Sequence, residues 1–236
     1  IFLLALPILI IVHFALQNRN VESGNVAWYP IGRILIWLSL LGILTFLVAY
    51  AVFMQVDGGV RGAIDNYLNS ITANLAQADR AAIDAMTATM TYIFPAIASV
   101  SWTMMNVING ALAQRFVTAG NRNIRPRPVY SEIEIPLWPA GICLLGAIFA
   151  GFGGELGFLG FNIMLIASIP FFFIGLAVLH NISLAWPGRL IWLTGIYLFL
   201  ILALWPAVVI AALGVLEFWL RLRDRAKARR TNKGNK

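Results

Sequence analysis

Long apolar runs alternate with short polar gaps along the whole chain. The runs cover residues of about 1–16, 34–54, 92–116, 136–151 and 157–182, and a final stretch covers 189–220. Several reach the roughly 20 residues that a helix needs to cross a hydrocarbon core of about 30 Å. None alternates with period two. In lipid the backbone must satisfy its own hydrogen bonds in helices or a closed barrel, so runs of this kind predict helices. As one helix the final stretch would be about 48 Å long. Trp205-Pro206 lies at its middle, where proline removes a backbone donor and clashes with the preceding turn. A break there makes seven spans, with two halves of only about 16 residues each, short of the usual span.

The gaps decide between one span and two. Arg19 and Arg33 flank the first gap, Arg115, Arg122, Arg125 and Arg127 fill the third, and Arg189 lies in the fifth. The tail RLRDRAKARRTNKGNK carries eight more basic residues. The second gap holds Asp57, Asp65, Asp79 and Asp84 against Arg61 and Arg80, and the fourth holds Glu155. Cytoplasmic loops are rich in Lys and Arg. A single final span would put the tail opposite every other basic loop, whereas two spans put all of them inside. Charge therefore favours the split, with a kinked single helix as the alternative.

Composition adds that the chain cannot coat a soluble surface. Of its 236 residues 60% are hydrophobic and 11% charged, with a net charge of +7. A soluble domain is about one quarter charged. Cys143 stands alone in an apolar run, so no intrachain disulfide can form, and a small buried hydrophobe is its expected role. Ile1 opens inside an apolar run with no initiator Met, basic flank or cleavage site, so the chain reads as a fragment lacking N-terminal material.

Residues 55–91 form the longest segment outside the apolar runs. Val60, Ile64, Tyr67, Leu68, Ile71 and Leu75 recur at helical spacing, with Arg61, Asp65 and Asn69 on another face. This predicts an external amphipathic helix after a Gly58-Gly59 hinge. It either lies on the bilayer or cap of the bundle, or acts as a lid over an outward-opening cavity. The loop 118–135 contains Arg125-Pro126-Arg127-Pro128 and reads as a stiff connector. Residues 151–160, GFGGELGFLG, read as a tight external turn and not as a phosphate loop, because no Lys-Ser/Thr ending follows.

Several patches in order resemble the YybS-like family of predicted bacterial integral membrane proteins. They are WYPIGR at 28–33, Pro95, NGALAQR at 109–115, the Arg-Pro loop into Ile135-Pro136, PFFFIGLAVLH ending at His180, and GVLEFW at 214–219 followed by Arg221 and Arg223. That family is distantly similar in architecture to the substrate-binding membrane components of energy-coupling-factor transporters. The resemblance implies a small-molecule binding bundle that depends on partner ATPases; it assigns no role to any single residue, and at fold level it is analogy.

Polar groups at membrane depth are the candidates for function. Asn106 and Asn109 lie three apart on the third run, with Gln114 and Arg115 near its cytoplasmic end. They either hydrogen-bond between helices, at about 0.6 kcal/mol per contact, or line a ligand cavity. Glu217 and Arg221, four apart in acidic-first order, predict a helical ion pair, with proton coupling as the alternative. His180 ends the fifth run near the cytoplasmic surface, where titration or a simple hydrogen bond is open to it; His13 reads as a packed or interfacial side chain. Trp28, Tyr29, Trp138, Trp186 and Trp219 read as interface anchors, and Phe171–Phe172–Phe173 after Pro170 mark a kink in the fifth run.

No catalytic constellation, metal-ligand cluster or cofactor motif is expected. Ser99, Ser101, Ser168 and Thr194 have no matching base in any motif, and such side chains commonly bond their own helix. The basic tail is expected to meet anionic lipid, at about 1 kcal/mol per basic residue near the surface, rather than nucleic acid. The sequence thus predicts an all-α, polytopic transmembrane helix bundle over residues 1–222, with about seven spans, and a basic cytoplasmic tail over 223–236. A multi-pass protein of the bacterial inner membrane follows. Its expected work is transport-related small-molecule binding, with a non-catalytic structural or assembly subunit as the alternative. The expected partners are the lipid bilayer and membrane-protein or ATPase subunits.

Overall fold

The computed structural model describes residues 2–20, 26–73, 80–122, 124–126, 128–203 and 205–234, and side chains for all of these except 2–4, 229, 230 and 232–234. Leu75, Asp79 and Arg127 lie outside the described residues. Helix α1 (Phe2–Leu16) leads into an antiparallel hairpin, β1 (Asn18–Asn20) and β2 (Val26–Trp28), with Arg19 opposite Ala27. Then follow α2 (Ile31–Phe53), α3 (Gly59–Thr72), α4 (Arg80–Ala119), a 3-10 turn at Tyr130–Glu132, α5 (Trp138–Ala150) and α6 (Gly154–Ala167). The chain continues through α7 (Ile169–Ser183), α8 (Arg189–Leu202), α9 (Pro206–Leu220) and α10 (Leu222–Gly234). The fold is an all-α helical bundle.

Among the described residues three helices are long and apolar enough to cross a membrane: Ile31–Phe53, Arg80–Ala119 and the near-continuous Gly154–Ser183. Four shorter apolar helices, Ala5–Leu16, Trp138–Ala150, Arg189–Leu202 and Pro206–Leu220, occupy the remaining apolar runs. The final stretch does break before Pro206. Ala203 is extended (φ −134°, ψ 129°), which ends α8 and lets proline start α9 at a position where its missing N–H costs nothing. Two features depart from the sequence reading. The first polar gap folds as a hairpin, and α4 begins at Arg80 and so runs for about 60 Å. The basic tail, for which charge predicted no particular conformation, is helical from Leu222.

Two compact units make up the chain. The first comprises Ile1–Trp37, Asn109–Gly141 and Ser168–Lys236; the second comprises Leu38–Ile108 and Ile142–Ala167. Charge partitions with them: fifteen Lys or Arg and five acids fall in the first, two and five in the second.

In the second unit, side chains from neighbouring helices bond backbone groups that lie beside prolines. Pro95 lies inside α4, where it takes away the donor for the Thr91 carbonyl. One rung later, Asn162 of α6 engages both partners of an i→i−4 pair. Its Oδ1 accepts from the Ala96 N–H at 2.9 Å, and its Nδ2 donates to the Tyr92 carbonyl at 3.1 Å and to its own helix at Phe158, 2.9 Å. Asn162 is fully buried, against Phe158, which is buried too. Pro170 likewise leaves the Ile166 carbonyl without its i+4 donor, and the buried Ser39 hydroxyl of α2 donates to that oxygen at 2.7 Å. Glycines bring α5 and α6 together, since a Cβ on Gly160 would lie 2.7 Å from the Gly146 carbonyl oxygen.

In the first unit α7 and α9 pack backbone to backbone. A Cβ on Gly175 would run into the Ile210 carbonyl oxygen, and one on Gly214 into that of Phe171. Phe171 meets Phe218 edge-on at 6.0 Å, and Ile174, Val178, Ile210 and Ala211 complete the buried seam. Arg125 ties the N-terminal part of the same unit together. Its guanidinium donates to the Ala15 carbonyl (3.2 Å) and the Tyr29 carbonyl (2.9 Å) and lies 6.0 Å from the Trp28 ring. Burial lowers its pKa from the ordinary arginine value.

The seam yields a direct test. Gly175→Ala should destabilise the protein by about 1–3 kcal/mol through overpacking, seen as a lower melting temperature in detergent. Gly195→Ala, where a Cβ meets nothing within 4 Å, should leave melting unchanged.

Candidate functional site

The corner between α9 and α10 concentrates the charge of the first unit. Arg221 caps α9 in a left-handed conformation (φ 45°, ψ 50°), with its N–H on the Glu217 carbonyl at 2.9 Å. The chain therefore turns before α10 begins, and residue 221 leaves the helical stack over residue 217. The Glu217–Arg221 ion pair expected from spacing does not form as expected. The Glu217 carboxylate turns instead to the start of α10. It accepts from the N–H groups of Leu222 (2.7 Å) and Arg223 (3.3 Å) and pairs with Arg223 Nε at 2.8 Å. A carboxylate at a helix N-terminus also meets the positive end of the helix dipole.

Arg223 spends its remaining donors on the loop before α5. Its Nη1 donates to the carbonyls of Ile133 (2.9 Å) and, at the long end of the range, Ser131 (3.4 Å). The Ser131 carbonyl also accepts from Asn181 of α7 at 2.9 Å. Side chains of Glu217 and Arg223 are only 8% and 16% exposed, so this pair is a buried one, fully hydrogen-bonded on the carboxylate side. Farther out, Lys227 and Glu132 face each other at 3.4 Å, both more than half exposed, and contribute little.

These groups line an open cleft of about 700 Å³. Its wall includes Glu132, Glu134, Asp224, Arg221 and Lys227, with Ile174 and Phe218 as the apolar floor. That volume falls in the range of small-molecule sites, roughly 300–1,000 Å³. Charges of both signs suit a ligand that is itself polar and carries both.

The other residues singled out from sequence do not converge. Asn106 is buried, and its Nδ2 donates to the Trp102 carbonyl of its own helix at 2.8 Å. Asn109, three residues on, is exposed. Gln114 is half-buried and reaches Thr118 Oγ1 and the Arg125 carbonyl only at 3.5 Å. None of the three lines the cleft. His180 donates Nδ1–H to the Leu176 carbonyl at 2.9 Å.

On α3 the amphipathic pattern folds as a helix, entered through Gly58 and Gly59 at positive φ (77° and 61°), a conformation that glycine adopts without strain. Val60 and Thr72 are buried while Tyr67 and Ile71 are exposed. Arg61 pairs with Glu155 at 3.0 Å and lies over the rings of Phe158 (5.5 Å) and Tyr92 (5.8 Å); the Tyr50 hydroxyl donates to the other Glu155 oxygen at 3.0 Å. The helix is thus fastened to the N-terminus of α6.

A family model of predicted membrane proteins (DUF2232) matches residues 1–217. The chain belongs to this family. No curated protein and no solved structure matches it. Membership explains the surface: Leu190, Ile191 and Ile201 of α8 are each about 80% exposed, as lipid-facing residues are.

Arg223, Ser131 and Asn181 were not identified from the sequence. Arg223 lies six residues from Glu217, a spacing with no helical meaning until the left-handed corner is known, and it opens a tail read as meeting anionic lipid.

Removing one partner of the buried pair should cost more than removing both. Arg223→Met is expected to lower stability by about 3–5 kcal/mol, and adding Glu217→Gln should recover part of the loss. Denaturant titration of the three proteins in detergent measures this; equal losses in single and double variants would show that the two charges do not interact.

Proposed function

We propose that this protein is a multi-pass inner-membrane component of a transport system, with a cytoplasmic C-terminus and a small-molecule site in the α9–α10 cleft. The observation that carries the reading is the cleft itself, of about 700 Å³, walled by charges of both signs on a fixed Glu217–Arg223 base. Such a site recognises a polar molecule by paired charges rather than by apolar burial. The resemblance read from the sequence, at fold level, to substrate-binding components of energy-coupling-factor transporters implies a dependence on membrane-protein or ATPase partners.

Orientation rests on charge. The unit that holds the cleft also holds fifteen of the seventeen basic residues, which favours retention of its loops and tail in the cytoplasm. The cleft then meets its ligand from the cytoplasm, and Asp57 and α3 lie outside. In a Cys143→Ala background, Asp57→Cys should react with an impermeant maleimide on intact spheroplasts. Asn232→Cys should react only after permeabilisation; the reverse pattern would overturn the orientation.

A structural or assembly subunit is the second reading. It is favoured by the use of Asn106 and Asn162 for helix hydrogen bonds and by the bare apolar surface of α8. Native mass spectrometry of the protein in nanodiscs, equilibrated with a small-molecule extract of cytoplasm, separates the two. A reproducible small-molecule adduct that Arg221→Glu removes is expected for the binding component. Retention of protein subunits with no small-molecule adduct would favour assembly.

A further inference from the structure

We propose that the cleft between the β-hairpin and the start of α2 holds the phosphate of an anionic membrane lipid. This cleft, of about 380 Å³, is lined by Arg19 and Arg33 together with Trp28, Tyr29, Gln17 and Asn18. None of its described lining residues is acidic, and among the described residues neither arginine takes part in an ion pair. Two guanidinium groups in a cleft whose described lining holds no carboxylate repel each other until an anion joins them. A phosphate diester does so with oxygens that accept from both forks.

The aromatic wall points to a lipid as the source of that phosphate. Trp and Tyr favour the depth at which hydrocarbon gives way to headgroups. Here Trp28 and Tyr29 stand between an apolar helix and a polar hairpin. The wall is also fixed in advance. The Tyr29 ring stacks on Phe14 at 4.7 Å, its hydroxyl accepts from Trp37 Nε1 at 3.0 Å, and its carbonyl is held by Arg125. Arg33 lies 6.0 Å from the Tyr29 ring, which orients one of the two guanidinium groups. A preformed site loses less entropy on binding than a flexible basic tail does. It therefore selects one lipid where the tail collects many.

Native mass spectrometry tests this on the full chain in mixed micelles of equimolar phosphatidylglycerol and phosphatidylcholine. The wild type should retain phosphatidylglycerol several-fold over phosphatidylcholine. Arg19→Gln with Arg33→Gln should bring the ratio to about one, while Arg115→Gln with Arg122→Gln, an equal loss of charge elsewhere in the same unit, should keep the preference. If the double variant melts early, Arg19→Gln alone, on an exposed strand, should still lower the ratio. An unchanged ratio, or an equal fall in both double variants, would overturn the proposal. Displacement of phosphatidylglycerol by millimolar inorganic phosphate would show a free-anion site and would overturn the lipid assignment.

Discussion

A helix in hydrocarbon cannot leave a peptide N–H or carbonyl unpaired, because no water is present to take its place and each orphan costs several kcal/mol. Proline creates that problem at Pro95 in α4 and at Pro170 at the start of α7. Ser39 answers the second directly, and Asn162 braces the rung next to the first. An asparagine amide carries the donor and acceptor of a peptide in one side chain, so Asn162 can join both ends of the Tyr92–Ala96 rung. Ser39 supplies the single donor that the Ile166 carbonyl lacks. Each repair comes from a different helix, so the same bonds that make the breaks tolerable also fasten α2, α4 and α6 to one another.

The first unit is held by a different device. Gly175 and Gly214 let α7 and α9 approach until backbone meets backbone, which gains dispersion contacts where hydrophobic driving force between helices is absent. With α9 fixed against α7, the left-handed Arg221 fixes where α10 starts, and Glu217 then has one carboxylate to serve a helix N-terminus and a buried arginine. Chemistry collects at this end because charge can be hydrated there. Asn106, deeper in its helix, donates to the Trp102 carbonyl of its own helix.

The spans were legible because hydropathy depends on the solvent and not on the fold. The seven apolar runs, the break before Pro206, the helix after Gly58-Gly59 and the interruption near Pro170 could all be read from local chemistry. The site could not. Glu217 was visible as an acid near a helix end, but its partner depends on a positive φ at an arginine, which no propensity predicts. Asn162 lay unnoticed within an apolar run, since its role exists only once Pro95 of another helix stands opposite. The twelve residues that open α4 were hidden for a simpler reason: they are helical without being apolar.

The central claim is that neighbouring side chains complete the broken helix ladders, and amide hydrogen exchange tests it most directly. With Asn162→Leu in nanodiscs, exchange at Ala96 should rise roughly five- to a hundredfold, in line with a lost buried partner worth about 1–3 kcal/mol. The helix ends of α4 should exchange as before. Unchanged exchange at Ala96 and unchanged melting would contradict the account, because they would mean that α4 closes its own ladder and does not need Asn162.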